Sequence, residues 1–153
     1  MKDFQQIKQQ LQKACLLFVR NRLETVTIAI ESNKKDLFSE TKSSAGDKHE
    51  TALAMMHLEQ EKLNQKLAES LNQKNILEAI NCSVSHKVIV LGSLVKANEI
   101  YFFIATALPQ ITLEGANVFG VSPQAPIGMQ FMGKKAGDCI QVNTITYKIE
   151  SVF

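Results

Sequence analysis

Tryptophan is absent from this 153-residue chain, proline occurs three times and glycine seven, and the scarcity is uneven. Residues 2–80 contain no proline and a single glycine, Gly46, so nothing in that half interrupts a helix except the segment around Gly46. No apolar run reaches the roughly 20 residues that a membrane-spanning helix needs. The longest, around Ile100–Leu108, contains a tyrosine and a threonine. Met1–Gln10 is polar and charged where a secretory signal would be apolar, so the expected location is the cytoplasm. The three cysteines, Cys15, Cys82 and Cys139, form no CxxC and no His-spaced zinc pattern, and they are expected to be reduced thiols. Charge of one sign is also missing. The formal net charge is +2, with 12 basic against 11 acidic residues in 1–80 and 5 against 4 in 81–153. Without a clustered basic face, strong autonomous binding to nucleic acid is disfavoured.

What is present divides into two grammars. The first 80 residues are rich in Gln, Lys, Glu, Leu and Ala, all good helix formers. Phe4, Ile7, Leu11, Ala14 and Phe18 make one apolar stripe, and Leu53, Met56, Leu63, Leu67 and Leu71 make a second. Between them, Ser39–Gly46 reads as a turn joining antiparallel helices. The run Ser44-Ala45-Gly46-Asp47 fits a Ser-x-x-acid cap at the start of the second helix. At 1.5 Å per residue, a helix of roughly 28 residues reaches about 40 Å, a projecting rod that needs a base. The turn predicts pairing within one chain and hence a monomer.

Residues 83–153 hold all the prolines and six of the seven glycines, with short β-branched and aromatic runs. Predicted strands are Val88–Val90, Leu94–Lys96, Tyr101–Thr106, Ile111–Leu113, Val118–Val121, Ile140–Val142 and Ile145–Val152. Ile140, Val142, Ile145, Tyr147 and Ile149 alternate across Asn143-Thr144, as in a hairpin with one buried face. Pro126–Met132, followed by Gly133, is a predicted short helix with Pro in its first turn and Gly past its end. The expected fold is α+β: a hairpin over 1–80 with its tip near 39–50, then a small antiparallel β domain over 83–153.

Specific residues carry a resemblance. Leu91-Gly92-Ser93-Leu94-Val95, Ala125-Pro126-Ile127-Gly128 and Gly133-Lys134-Lys135-Ala136-Gly137-Asp138 resemble the carboxy-terminal signature of the GreA/GreB transcription factors. Gly46-Asp47-Lys48-His49-Glu50 resembles the Gre hairpin tip, Gly-Asp-x-x-Glu, and the matches fall in family order across nearly the whole chain. The chain departs from the pattern after the tip, where Thr51-Ala52-Leu53-Ala54 stands in place of Asn-Ala-Glu-Tyr, and at Ala125, where Gre factors usually have Ser. The resemblance implies an FKBP-like β domain. It further implies a divergent elongation factor that enters the secondary channel of bacterial RNA polymerase and stimulates cleavage of backtracked RNA by the polymerase, without being a nuclease itself.

Asp47 and Glu50, three apart, lie on one helix face and can converge on one ion. A magnesium ion shared with the polymerase, its shell completed by polymerase carboxylates and RNA phosphate, is the expected cofactor. Acids in a first helical turn also arise simply because they favour the helix dipole. His49, one position from Glu50, points elsewhere. Lys42, Lys48, Lys134 and Lys135 are candidate polymerase contacts, against the alternative of ordinary solvated charges. The competing functions are a channel-occupying regulator without cleavage activity, a prolyl isomerase, for which an aromatic-walled pocket is wanting, and a self-associating hairpin.

Overall fold

A computed structural model describes residues 3–41 and 47–153. It is α+β: two long helices, α1 (Phe4–Thr41) and α2 (Asp47–Ala79), precede the strands β1 (Leu94–Ala97), β2 (Ile100–Ile104), β3 (Leu108–Leu113) and β4 (Ala116–Val121). The short helix α3 (Pro126–Phe131) and the strands β5 (Cys139–Val142) and β6 (Ile145–Val152) complete it. The chain forms two compact units, one of residues 17–74 and one of residues 1–16 with 75–153, so the division falls inside both helices.

In the helical unit, α1 continues through Ser39 to Thr41, beyond the point where a turn was expected. Lys42, Ser44 and the rest of the predicted turn through Gly46 lie outside the described residues. The part of α2 in this unit has roughly 28 residues, about 42 Å of helix. Its inward positions are Leu53, Met56, Gln60, Leu63, Leu67 and Ser70, an alternating 3,4 spacing that keeps one seam facing its partner. Val26, Ile30 and Leu63 form the dry centre, with Ala29 and Leu67 against them. The predicted stripe is corrected at its ends: Ser70 is buried and Leu71 is exposed, and Val19 rather than Phe18 is fully buried. Met56 enters the seam while Met55 is exposed.

This seam is unusually polar. The buried Asn33 donates from Nδ2 to the Met56 carbonyl (3.1 Å) and to Gln60 Oε1 (2.9 Å), and Arg22 Nη1 donates to Gln73 Oε1 (3.1 Å). Side-chain amides that find partners in only one alignment fix the register of two helices, as leucines do not.

In the second unit the strand order is β3-β4-β2-β1-β6-β5. Four of the pairings are antiparallel, but β2 and β4 are parallel, Phe102 facing Phe119 and Ile104 facing Val121. The sheet is therefore mixed, where an antiparallel one was expected. β3 carries Pro109, which cannot donate to a ladder, and an exposed Gln110, so it belongs at an edge, and the more apolar β4 takes the inner place beside β2. The predicted strand Val88–Val90 is also corrected. Only Ile89 is buried there, bonded both ways to Gly133 and Lys134, and the pairing ends after one bridge, Val88 with Lys135.

Three tight hairpins turn on residues with positive φ: Asn98-Glu99 between β1 and β2, Glu114-Gly115 between β3 and β4, and Asn143 between β5 and β6. α3 begins at the expected Pro126, and Gly133 beyond it has φ +79°. One sheet face packs Val95, Phe102, Ile104, Val121 and Ile149 against Phe131 of α3. Phe131 and Tyr147 ring Phe102 at centroid distances of 5.1 and 5.7 Å. None of the helices described is long and apolar enough to cross a membrane.

Candidate functional site

The first turn of α2 holds three of the residues singled out from sequence, Asp47, Lys48 and Glu50. Helix geometry sets Asp47 and Glu50 on one side, three positions apart. Glu50 and Lys48 are exposed, and the side chain of Asp47 lies outside the described residues. His49 occupies a seam position, half-buried, with Nδ1 3.1 Å from Glu40 Oε1. That contact turns the imidazole toward α1. Successive helix residues are rotated by about 100°, so a His49 committed to the seam carries Lys48 and Glu50 away from it. The expectation that His49, one position from Glu50, points elsewhere agrees with this contact to Glu40.

Two carboxylates three apart supply at most part of a magnesium shell, which favours near-octahedral oxygen ligation. Among the described residues, no group of three His, Cys, Asp or Glu side chains could hold a metal ion. The donor set fits a hard cation only as one contribution among several, with the other oxygens coming from elsewhere.

Lys134 and Lys135 belong to the other unit, in the turn after α3, and both are exposed. Their backbone is committed: Lys134 O accepts from Ile89 N–H at 2.8 Å and Lys135 N–H donates to Asp138 Oδ2 at 3.0 Å. A turn held this firmly presents two ammonium groups from a fixed position.

Sequence reasoning missed a buried polar cluster at the base of α1. Lys8, 1% exposed, donates from Nζ to Val84 O (2.8 Å) and Phe153 O (3.2 Å). Gln12 Nε2 donates to Leu77 O and Ile80 O at 2.6 and 2.9 Å, capping carbonyls at and just past the end of α2, where Leu77 O also accepts a long 3.4 Å bond from Ile80 N–H. The Cys82 thiol contacts Lys8 O and Gln12 Oε1. Nearby, Ser93 Oγ accepts from Val90 N–H (2.9 Å) and lies 3.0 Å from His86 Nδ1. A serine and a histidine at that distance invite a nucleophilic reading, but Ser93 is fully buried and its Oγ is already engaged by Val90 N–H as well as by His86. The cluster secures the fold. Nothing in the sequence marks Lys8, because a lysine between Ile7 and Gln9 reads as solvated surface.

Burial, and secondarily the Lys8 ammonium, lowers the His86 pKa from 6.5, against an opposing hydrogen bond to Phe153. A histidine whose folded pKa is depressed contributes stability above its unfolded value, and that stability is lost as pH falls through the folded pKa. The protein is therefore expected to lose stability on acidification from about pH 6.5, and His86→Gln is expected to shrink that loss. Urea midpoints at pH 7.5 and 5.0 for both proteins check this.

Neither a protein-family model nor a curated protein matches the chain. A solved structure of the transcription factor Gfh1 is similar to it. The likeness covers 92% of this chain and 94% of that one, at 19% identity and a TM-score of 0.38. At that distance nothing about chemistry or partners passes from Gfh1 to this chain, whose function has to be argued from its own residues.

Proposed function

We propose that this chain is a transcription elongation factor that binds bacterial RNA polymerase through the secondary channel and stimulates the polymerase's cleavage of backtracked RNA. The observation that carries this reading is the first turn of α2, where Glu50 is exposed three residues after Asp47 and His49 between them is engaged by Glu40. The Gly-Asp-x-x-Glu tip motif and the order of hairpin and β-rich region support it. The helical reach of about 40 Å suits insertion into a narrow channel.

In this mechanism Asp47 and Glu50 supply two carboxylates to a shell otherwise provided by the polymerase and the RNA. A magnesium ion held there would activate water for attack on a phosphodiester. Lys48, beside the acids, and Lys42, outside the described residues, would draw phosphate toward the tip. Lys134 and Lys135 would contact the polymerase. The protein is then an accessory, and the active centre belongs to its partner. A second reading is favoured by Thr51-Ala52-Leu53-Ala54, the departure just after the tip: a regulator that occupies the channel without stimulating cleavage.

RNA shortening in a backtracked elongation complex separates the two. The factor is expected to accelerate magnesium-dependent cleavage, and Asp47→Ala/Glu50→Ala to remove at least about 100-fold of that acceleration while polymerase binding is retained. Binding with no acceleration by the unaltered protein would select the second reading. First-turn acids contribute about 0.3–1 kcal/mol to a helix, so the double variant remains folded.

A further inference from the structure

The helical unit contains a second polar site, roughly 20 residues along each helix from the first turn of α2, which is about 30 Å of helix. A cavity of about 420 Å³ is lined by Arg22, Thr25 and Val26 of α1 and Lys66, Glu69 and Ser70 of α2. Ser70 is 1% exposed, and its hydroxyl has no hydrogen-bond partner. Buried hydroxyls are almost always paired, because an orphaned one retains the full penalty of leaving water. A seam that spends amides so carefully at Asn33 leaves this hydroxyl unanswered, on the wall of a cavity that also receives two cations.

Arg22 is held in place. Nη1 donates to Gln73 Oε1, and the guanidinium lies 4.8 Å from the centre of the Phe18 ring. A guanidinium has five N–H donors, so most remain for a ligand. Lys66 is exposed and adds three more. Thr25 already donates to Asn21 O (3.0 Å) and brings only acceptor capacity, while Glu69 contributes one carboxylate. The site thus offers converging donors from two helices, an excess of one positive charge and two acceptors, the Thr25 hydroxyl and the Glu69 carboxylate. A planar carboxylate engaged by the guanidinium fork keeps both of its oxygens in one plane facing Arg22, a poor match to donors that converge from two helices. A tetrahedral phosphoryl group has oxygens for Arg22, for Lys66 and, once its enclosed hydroxyl turns toward the cavity, for Ser70, and its protonated oxygen can donate to Glu69.

We propose that Arg22, Lys66 and Ser70 form a binding site on the hairpin for a small phosphoryl oxyanion, either free phosphate or the terminal phosphate of a nucleotide. The site is separate from the tip, and it stands or falls independently of any role in transcription.

Thermal unfolding and isothermal titration of the full chain test this, with inorganic phosphate, adenosine monophosphate, and sodium chloride at matched ionic strength as probes. Phosphate is expected to raise the melting temperature where chloride does not. An equal response to the nucleotide assigns the site to terminal phosphates, and a response to phosphate alone assigns it to the free ion. Ser70→Ala is expected to weaken binding about tenfold, the loss of one hydrogen bond to a charged group, while raising the melting temperature without ligand. Lys66→Gln, at an exposed position, is expected to weaken binding and leave the unliganded melting temperature unchanged. An equal response to phosphate and chloride overturns the proposal, as does undiminished binding by Ser70→Ala.

Discussion

Gly128→Ala is expected to destabilise the β-rich unit by more than about 4 kcal/mol, the range reserved for severe steric conflict. At an ordinary helical position the same change would stabilise by about 1 kcal/mol, because alanine is the better helix former. Here a methyl group at Gly128 would run into the Ser122 carbonyl oxygen and come within 2.9 Å of the carbonyl carbon and 3.1 Å of Pro123 Cα. These are backbone atoms and cannot rotate aside. The Ser122 carbonyl is already fixed by a 3.0 Å hydrogen bond from Ala125 N–H, which sets the entry to α3. Moving it would disturb the start of α3, the helix that carries the fully buried Phe131 into the core. Gly133→Ala makes the contrast. Its φ is +79°, but no atom lies within 4 Å of the added carbon, so only the conformational cost of about 1–2 kcal/mol applies. Urea unfolding of the two variants, followed by circular dichroism, checks both the size and the order of the losses.

The second large effect is alkaline. Cys15 is 1% exposed, and burial, with a smaller push from Cys82, raises its thiol from 9.0 to about 12. In the unfolded chain the thiol ionises near 9, so above that pH the unfolded state gives up a proton that the folded state keeps. A raised folded pKa means stability that is complete below pH 9 and is lost as pH climbs to about 12. Three units correspond to about 4 kcal/mol. Lys8 and Cys82 are present in a Cys15→Val variant as well, so the comparison isolates the Cys15 thiol together with its coupling to Cys82. Relative to Cys15→Val, the unaltered protein is expected to lose about 4 kcal/mol between pH 9 and 12. Denaturant midpoints at pH 8, 10 and 11.5 measure it. Parallel pH profiles would rule it out.

The elements governed by local chemistry were legible in the sequence. The proline-free stretch became α1 and α2, Pro126 opened α3, and the alternation across Asn143-Thr144 became the β5–β6 hairpin. What resisted reading was decided by partners distant in the chain. That Ser70 and not Leu71 turns inward is set by the facing helix, and a hydrophobic stripe read on one helix cannot anticipate it. The parallel β2–β4 pair depends on which of two neighbouring strands tolerates an edge, and only Pro109 hinted at it. Lys8 is invisible for a similar reason, since its two acceptors lie 76 and 145 residues away. The tip acids were visible because their motif is contiguous. The reason Gly128 matters was not, because the obstructing carbonyl belongs to a loop whose path no pattern records.

The amides of the seam bear on how the hairpin moves. Two helices clasped by Asn33, Gln60, Arg22 and Gln73 are held by bonds that water can replace one at a time. Among the described residues of this unit, the buried apolar side chains are few: Val19, Val26, Ile30 and Leu63. Amide protons of this shaft should therefore exchange by local opening well before those of β1 and β2, where Val95 and Phe103 are fully enclosed. Such a pair of helices keeps its alignment through polar pairing and yields readily along its length.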